Sequence, residues 1–368
     1  MRVPLCIAAG LAGAMIAACG SGSSAPANPV LGPSADAGTS GAPDGGTAGD
    51  AGTGIDGGQD GGTGVGLGPV AMTGPEAAQA LALDAVNVYW INNSGAPDPS
   101  RWVVRVLPKS GGTPRTLAAG DGQVNDLVAD DEAVFVTVRT CNTATCTGST
   151  DNVVRVSKLD GSPTTLATGT GQLAFDDASV YYLVVRDNAP GEVRRVPKRG
   201  GPSEVVASSE PVSPPALSVF GDTVYWTATE NQDGHANGVV RAAPKSGGDA
   251  NTLASGSFVR MKADFNFLYL RASGGGSVSR IGRTNGQDGK TIRNPMGSSQ
   301  RDDVDAHSGV VYWNESANAQ HPGCLGRANA DGTDARCLDE GTFDLRAVRV
   351  DDDAVYYIKD RRVWRVGK

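Results

Sequence analysis

A three-residue apolar phrase, in most copies centred on tyrosine, recurs seven times in this chain and constrains the fold more than any other feature. Its copies begin 46, 46, 44, 44, 43 and 44 residues apart. A period of this size, with four strand-like segments in each unit, is typical of a β-propeller. The copies are Val88-Tyr89-Trp90, Val134-Phe135-Val136, Val180-Tyr181-Tyr182, Val224-Tyr225-Trp226, Leu268-Tyr269-Leu270, Val311-Tyr312-Trp313 and Val355-Tyr356-Tyr357.

The first repeat shows the order of strands and turns in one unit. Short β-branched or apolar segments at 81–83, 88–91, 102–107 and 115–118 predict four strands. Clusters of Asp, Asn, Pro and Gly separate them, including Pro108-Lys109-Ser110-Gly111-Gly112, and predict tight turns.

The two ends of the repeat array complement each other. The seventh repeat stops at Lys368 after its third strand, and the segment 69–74, before the first repeat, resembles the missing fourth strand. Such a strand closes a ring and removes an exposed sheet edge. The sequence therefore predicts an all-β propeller domain over 67–368 with seven four-stranded blades, the last closed by an N-terminal strand. Six blades are the alternative.

Two families resemble this chain. The Tyr-Trp phrases are distantly similar to the Tyr-Trp-Thr-Asp propellers of lipoprotein-receptor type, although Tyr225-Trp226-Thr227-Ala228 lacks the aspartate and that family has six blades. The repeats over 69–368 resemble more closely bacterial propeller lipoproteins with Arg-Val-Pro-Lys-x-Gly-Gly phrases. Neither resemblance carries over a catalytic residue.

The N-terminus has the pattern of an export signal. Arg2 precedes an apolar stretch that is short for a membrane span, and Ile16-Ala17-Ala18-Cys19 resembles a bacterial lipobox. This predicts a signal peptide at 1–18 and lipidation of Cys19; the alternative is an ordinary signal peptide that contains a cysteine. Gly20 and Ser21 lack the aspartate that retains lipoproteins at the inner membrane, so an outer-membrane lipoprotein of the cell envelope, facing the periplasm or the cell surface, is expected.

Residues 19–66 contain mostly Gly, Ala, Ser, Thr, Asp and Pro, with no Lys, Arg or aromatic residue after Cys19. A segment with so little apolar surface cannot offset its ordering entropy, so it is predicted to be a disordered tether. Its aspartates lack the regular spacing of calcium-binding repeats.

The number of cysteines is consistent with export from the cytoplasm. Without Cys6 and Cys19, an even number remains, and an oxidising compartment favours the local disulfides Cys141–Cys146 and Cys324–Cys337. Mirroring about the turn near Asp331-Gly332 leaves Cys324 and Cys337 two residues out of register, so a bulge or a longer loop is required.

Charge and composition limit the partners. The net charge is −8 and there is no basic run, which disfavours nucleic acid. No histidine has zinc-ligand spacing to either cysteine pair, so neither a metal nor a cofactor is predicted. A monomer is expected.

Two charged residues recur with the repeat and are interpreted as structural. An aspartate stands four residues before the triplet in five repeats (Asp84, Asp130, Asp176, Asp264 and Asp351). Aspartate at a tight turn accepts hydrogen bonds from the backbone that follows it. An arginine recurs on every third strand, and pairing with a turn carboxylate of its own or the next blade is expected. The set is Arg105, Arg155, Arg195, Arg241, Arg280, Arg327 and Arg365.

Residues that break the repeat are better candidates for function. We expect a binding face at the loops between second and third strands, and no catalytic residue can be assigned there. Two histidines near acidic residues are compatible with acid–base chemistry or a metal, although solvated loop residues are the simpler interpretation. The candidates are Arg101, Trp102, Arg186, Glu230, Asp233, His235, Glu315 and His321, with Asp98 and Asp187 in the same loops.

The sequence therefore favours a lipid-anchored, non-enzymatic binding or scaffold module for an envelope protein or glycan. The alternative is a propeller enzyme, a lyase or hydrolase, with its active site on the loop face. Virginiamycin-type lyases offer a fold analogy for the latter.

Overall fold

A computed structural model describes residues 68–92, 101–141, 149–185, 190–209, 216–232, 235–273, 276–294, 302–315, 317, 321–342 and 344–368. All of them belong to one unit, Gly62–Lys368. The predicted signal peptide, Cys19 and the tether lie outside the described residues, as do Asp98, Cys146, Arg186, Asp187 and Asp233. The described part of the chain contains no helix long and apolar enough to span a membrane.

Within those residues, 28 strands form seven four-stranded antiparallel sheets, which are the seven blades predicted from the repeat. The strands are β1 (Val70–Ala71); blade 1, β2 (Ala78–Leu83), β3 (Asn87–Asn92), β4 (Arg101–Pro108), β5 (Arg115–Asp121); blade 2, β6 (Gln123–Ala129), β7 (Ala133–Cys141), β8 (Ser149–Ser157), β9 (Pro163–Thr168); blade 3, β10 (Thr170–Phe175), β11 (Ser179–Val184), β12 (Gly191–Pro197), β13 (Glu204–Ser209); blade 4, β14 (Leu217–Phe220), β15 (Thr223–Gln232), β16 (His235–Pro244), β17 (Asn251–Ser255); blade 5, β18 (Phe258–Ala263), β19 (Phe267–Ala272), β20 (Val278–Gly282), β21 (Lys290–Arg293); blade 6, β22 (Val304–His307), β23 (Val310–Glu315), β24 (Gly323–Asn329), β25 (Arg336–Gly341); blade 7, β26 (Leu345–Val350), β27 (Ala354–Lys359), β28 (Arg362–Gly367).

The seventh blade is completed from the other end of the domain, as predicted. Its order is β1–β28–β27–β26, with Val70 opposite Arg365 and Ala71 opposite Trp364. The closing strand is only two residues long, and Met72 N–H extends the pairing by donating to Val363 O at 2.8 Å. The first strand of each blade contacts that of the next, and β2 contacts β26, so the ring is closed.

The hydrophobic core lies between blades, and the aromatic phrase explains how. Successive residues of a strand point to opposite faces of the sheet. Tyr89 therefore packs in the cluster shared by blades 1 and 2, whereas Trp90 packs in the cluster shared by blades 7 and 1. Likewise, Tyr225 packs in the cluster shared by blades 4 and 5, and Trp226 packs in the cluster shared by blades 3 and 4. Each adjacent pair of blades has such a cluster among the described residues.

Side chains on or beside the first strands link several neighbouring blades. A carboxylate or hydroxyl of one first strand accepts a backbone N–H of the following one, so the inner edges find partners across the blade boundary. Examples are Leu173 N to Asp126 Oδ2 (2.8 Å), Ala263 N to Ser218 Oγ (3.0 Å) and Val350 N to Asp305 Oδ2 (3.0 Å).

In blade 6, Cys324 and Cys337 form a disulfide with their Cα atoms 5.5 Å apart. Cys337 lies opposite Gly326, two residues from Cys324, and the register shifts between Leu325 and Gly326. The predicted offset and the bulge that relieves it are therefore both present. Cys141, at the end of β7, is disulfide-bonded; its predicted partner, Cys146, lies outside the described residues.

Candidate functional site

The two ends of the blades are built differently. One end, here called the turn face, carries the turns between first and second strands and between third and fourth strands. The other, the loop face, carries the loops between second and third strands and the connections between blades. The repeated aspartates lie on the turn face.

Each repeated aspartate closes the turn between first and second strands. Asp176 Oδ1 accepts the N–H groups of Ala178 (3.0 Å) and Ser179 (2.9 Å), while Oδ2 accepts Tyr181 OH at 2.8 Å. The same backbone pattern holds at Asp84, Asp130, Asp264 and Asp351. The structural interpretation of these aspartates is confirmed.

A lysine of the next blade completes the site. It lies in the turn after the third strand, and its ammonium pairs with the preceding blade's aspartate, joining the two blades. The pairs are Lys109–Asp351 (2.5 Å), Lys158–Asp84, Lys198–Asp130 (2.9 Å) and Lys245–Asp176 (2.6 Å). The lysine side chains are only 13–19% exposed, so these pairs are shielded from solvent.

Aromatic rings and pKa shifts reinforce these pairs. Lys158 Nζ lies 4.4 Å from the centre of the Tyr89 ring, at cation–π distance. Burial alone would raise the pKa of Asp84, but hydrogen bonds from Lys158, Tyr89 and the following amides lower it to about 2. The pKa of Asp176 is likewise lowered to about 2, with Lys245 overcoming the effect of burial.

The other three interfaces depart from this pattern. Between blades 4 and 5, Phe220 replaces the aspartate, and Arg283 stacks on its ring (4.9 Å) and donates to Tyr225 OH (3.1 Å). Between blades 6 and 7, His307 takes that place and its Nε2 lies 2.8 Å from Asp352 Oδ1. Between blades 5 and 6, Asp264 is kept, but Ala330 stands where the lysine would be.

Three of the third-strand arginines bind carboxylates of their own blades, two on neighbouring strands and one, as predicted, in a turn. Arg195 pairs with Glu204 (2.7 Å), Arg241 with Glu230 (2.7 Å) and Arg327 with the turn residue Asp334. Arg195 also donates to Lys245 O of the next blade at 3.2 Å. These arginines therefore stabilise blades and their junctions.

The channel at the centre of the ring, lined by the first strands of the blades, contains cationic side chains that pair with its carboxylates. Arg349 pairs with Asp303 (2.7 Å) and Lys262 with Asp305 (3.1 Å) around a cavity of about 210 Å³. Although burial alone would lower the pKa of Arg349, Asp303, Asp305 and Asp126 raise it. Burial raises the pKa of Asp126. Among the described residues, no group of three or more histidine, cysteine, aspartate or glutamate side chains could hold a metal ion.

The described candidates of the loop face have structural partners. Trp102 is 3% exposed and packs in the core between blades 1 and 2. Glu315 is buried and binds Trp313 Nε1 (2.7 Å) and Arg293 Nε (3.2 Å). Glu230 pairs with Arg241, and Arg101 Nε lies 3.3 Å from Asp121.

The two candidate histidines belong to different blades. His235 begins β16 in blade 4, opposite Gln232, whereas His321 is an exposed residue of blade 6.

The turn face has the stronger surface features. It exposes the large apolar residues Leu159 (95%), Phe265 (77%) and Val86 (65%) and part of Phe175 (36%). Two depressions of about 680 and 620 Å³ lie beside Phe175 and Phe265. Exposed carboxylates at the second or third residue of a turn line the depression beside Phe175, namely Asp131, Glu132 and Asp177. Others lie elsewhere on this face: Asp222, Asp352 and Asp353.

Comparison with known proteins supports the fold and goes no further. No protein-family model matches the sequence, and no curated protein matches it. Among solved structures, the β-propeller domain of the trilobed protease from Pyrococcus furiosus is 10% identical, with a TM-score of 0.58 over 79% of this chain and 95% of that one.

An oligogalacturonate lyase in complex with manganese is 12% identical, with a TM-score of 0.58 over 81% of this chain and 92% of that one. TolB from Acinetobacter baumannii is 11% identical, with a TM-score of 0.49 over 77% of this chain; the match spans 64% of TolB. At such identities the two structures with TM-scores of 0.58 show a β-propeller fold alone.

The lysines of the blade junctions are the residues that sequence analysis missed. Their signal is present: Lys109, Lys198 and Lys245 each follow proline at the end of a third strand. In sequence this phrase predicts only a turn, because a repeat of one blade does not show which neighbouring blade a side chain reaches.

Proposed function

We propose that this protein is a lipid-anchored, non-enzymatic binding module of the cell envelope, and that its turn face binds a positively charged partner protein. The observation that carries the proposal is the composition of the turn face. Exposed apolar side chains lie there beside exposed carboxylates and two depressions. An apolar patch with a charged rim is typical of a protein-binding surface.

Electrostatics favours a basic partner. The repeated lysines of this face already pair with Asp84, Asp130, Asp176 and Asp351. Carboxylates such as Asp131 and Asp177 are exposed beside them. Such an excess of exposed negative charge accelerates association with a cationic surface and repels an anionic one. An acidic glycan is therefore a poorer fit than a basic protein.

The N-terminal segment supports placement at a membrane. Lipid on Cys19, followed by a tether of nearly fifty residues with a root-mean-square reach of roughly 35–40 Å, would let the propeller meet partners at a distance from the bilayer. Labelling cells with an alkyne fatty acid tests the anchor. Label is expected on the wild-type protein and not on Cys19→Ala, and label on both would contradict the proposal.

Crosslinking in intact cells followed by mass spectrometry tests the binding face. Neutralising Asp131 and Asp177 to asparagine is expected to weaken capture of the main partner at least several-fold, and added salt should do the same to the wild type. The matched control is Asp121→Asn, because that side chain is 83% exposed and lies at the loop-face end of β5. Equal loss in the control, or no loss in the turn-face variant, would contradict the proposal.

A further inference from the structure

The junction between blades 5 and 6 keeps one half of a repeated ion pair. Asp264 has the turn aspartate's place, and its Oδ1 accepts the N–H groups of Asn266 (2.9 Å) and Phe267 (2.8 Å). Its Oδ2 accepts Tyr269 OH at 2.9 Å. Asp176 makes these same three kinds of contact and a fourth, from Lys245 Nζ at 2.6 Å.

Ala330 occupies the backbone position of the missing lysine. Its N–H donates to Gly309 O at 2.9 Å, as the Lys245 N–H donates to Asp222 O at 2.8 Å in blade 4. The two turns are therefore equivalent, and the difference lies in the side chain. Among the described residues, no cation lies within ion-pair distance of Asp264.

Asp264 also lines the depression of about 620 Å³, together with Phe265 and Phe220. The basic groups on its wall have carboxylates of their own. Lys262 pairs with Asp305 (3.1 Å), and His307 lies 2.8 Å from Asp352. The carboxylate without a counter-ion therefore faces an open, partly aromatic space.

We propose that this pocket binds a primary ammonium group, which donates to Asp264 Oδ2 as the lysines do at the other junctions. The protein itself supplies the model for the ligand. Four of its own ammonium groups bind the same aspartate turn, and Lys158 does so over a tyrosine ring. Charge-assisted N–H···O⁻ bonds and an adjacent ring select a compact cation with N–H donors.

The ammonium group could belong to a free alkylamine or to a lysine side chain of another protein. The inference goes beyond the proposed function, because a small amine is expected to bind to the protein in isolation. If amine binding fails, the crosslinking result above is unaffected.

The test is an NMR titration of the full-length protein in non-ionic detergent with n-butylammonium chloride. Saturable shifts are expected at the amides of Asn266 and Phe267, which donate to Asp264. Tetramethylammonium, with the same charge and no N–H donor, should bind at least about tenfold more weakly. Absence of saturable shifts, or equal binding of both cations, would overturn the proposal.

Two variants locate the site. Ala330→Lys should abolish butylammonium binding by supplying the protein's own ammonium, and should raise the melting temperature. Asp264→Asn should weaken binding at least about tenfold while the fold is kept. Unchanged binding in either folded variant would overturn the assignment.

A third variant tests the comparison between blades. Lys245→Ala should create a second amine site at Asp176, with shifts at the amides of Ala178 and Ser179. Absence of a second site would contradict the inference that the ligand binds as the lysines do.

Nα-acetyl-lysine methylamide identifies the source of the ammonium group. Tighter binding than butylammonium indicates a partner's lysine, and weaker or equal binding indicates a free amine.

Discussion

At the scale of single residues, the turn lysines have the clearest energetic role. Lys245 and Asp176 are 19% and 22% exposed, and their pairing crosses from blade 4 to blade 3. The aspartates and their backbone contacts were predictable, because that chemistry is local to four residues. The lysines' partners were not, since they lie 69 and 74 residues away for Lys245 and Lys158.

Replacing Lys245 with methionine should lower the free energy of unfolding by about 1–2 kcal/mol, because a partly buried carboxylate loses its counter-ion. Urea denaturation measures the change. The control is Arg199→Met, which removes an ion pair to Glu132 with side chains 78% and 52% exposed. That change should cost much less, because solvent screens an exposed pair, and equal costs would contradict the role given to the partly buried pair.

Stability should also depend on pH in an acidic window. The pKa of Asp84 and that of Asp176 are lowered to about 2 in the folded protein from an ordinary value of 3.8. Groups whose pKa is lowered on folding stabilise the protein above their unfolded pKa and lose that effect as the pH falls towards the folded value. The urea midpoint should therefore fall between about pH 4 and pH 2, and less steeply for Asp176→Asn. An equally steep fall in that variant would count against the assignment.

At the scale of strands, the Tyr-Trp phrase shows what a repeat can predict. Alternation along β15 sends Tyr225 towards blade 5 and Trp226 towards blade 3, so one dipeptide serves two interfaces. Strand positions and the closing segment followed from the period and from turn residues. The lengths of the strands did not follow from the repeat. The closing strand β1 is only two residues long, and hydrogen bonds between Val363 and the residues Met72 and Thr73, which follow β1, complete the closure of the ring.

The closure of the ring at blade 7 should be weakened by removing a single hydroxyl group, that of Thr73. Val363 N–H donates to the buried Thr73 Oγ1 at 3.1 Å. Thr73→Val keeps the shape of the side chain but leaves that donor unsatisfied, which should cost about 1–3 kcal/mol. Hydrogen exchange of the Val363 amide should become faster, whereas Thr73→Ser, which keeps the hydroxyl, should leave it near the wild-type rate. Equal exchange in both variants would show that the hydroxyl is not needed.

At the scale of the whole molecule, the repeated residues build the ring and the irregular ones distinguish its surfaces. The number of blades was predictable because it is a count along the chain. The binding face was harder to predict, because burial depends on packing between blades. Trp102 looks like an exposed loop aromatic in sequence, yet it lies in the core between blades 1 and 2. Phe265, by contrast, is exposed in a repeated turn.

Site-specific photo-crosslinking in intact cells tests the central claim, that partners bind the turn face. A photoreactive amino acid replaces Leu159 on the turn face or, as the matched control, Val185 at the loop-face end of blade 3; these side chains are 95% and 42% exposed. The account predicts one dominant crosslinked protein from position 159, lost when Asp131 and Asp177 are neutralised, and little from position 185. Crosslinking from position 185 alone, or crosslinking from 159 that survives the neutralisation, would contradict it.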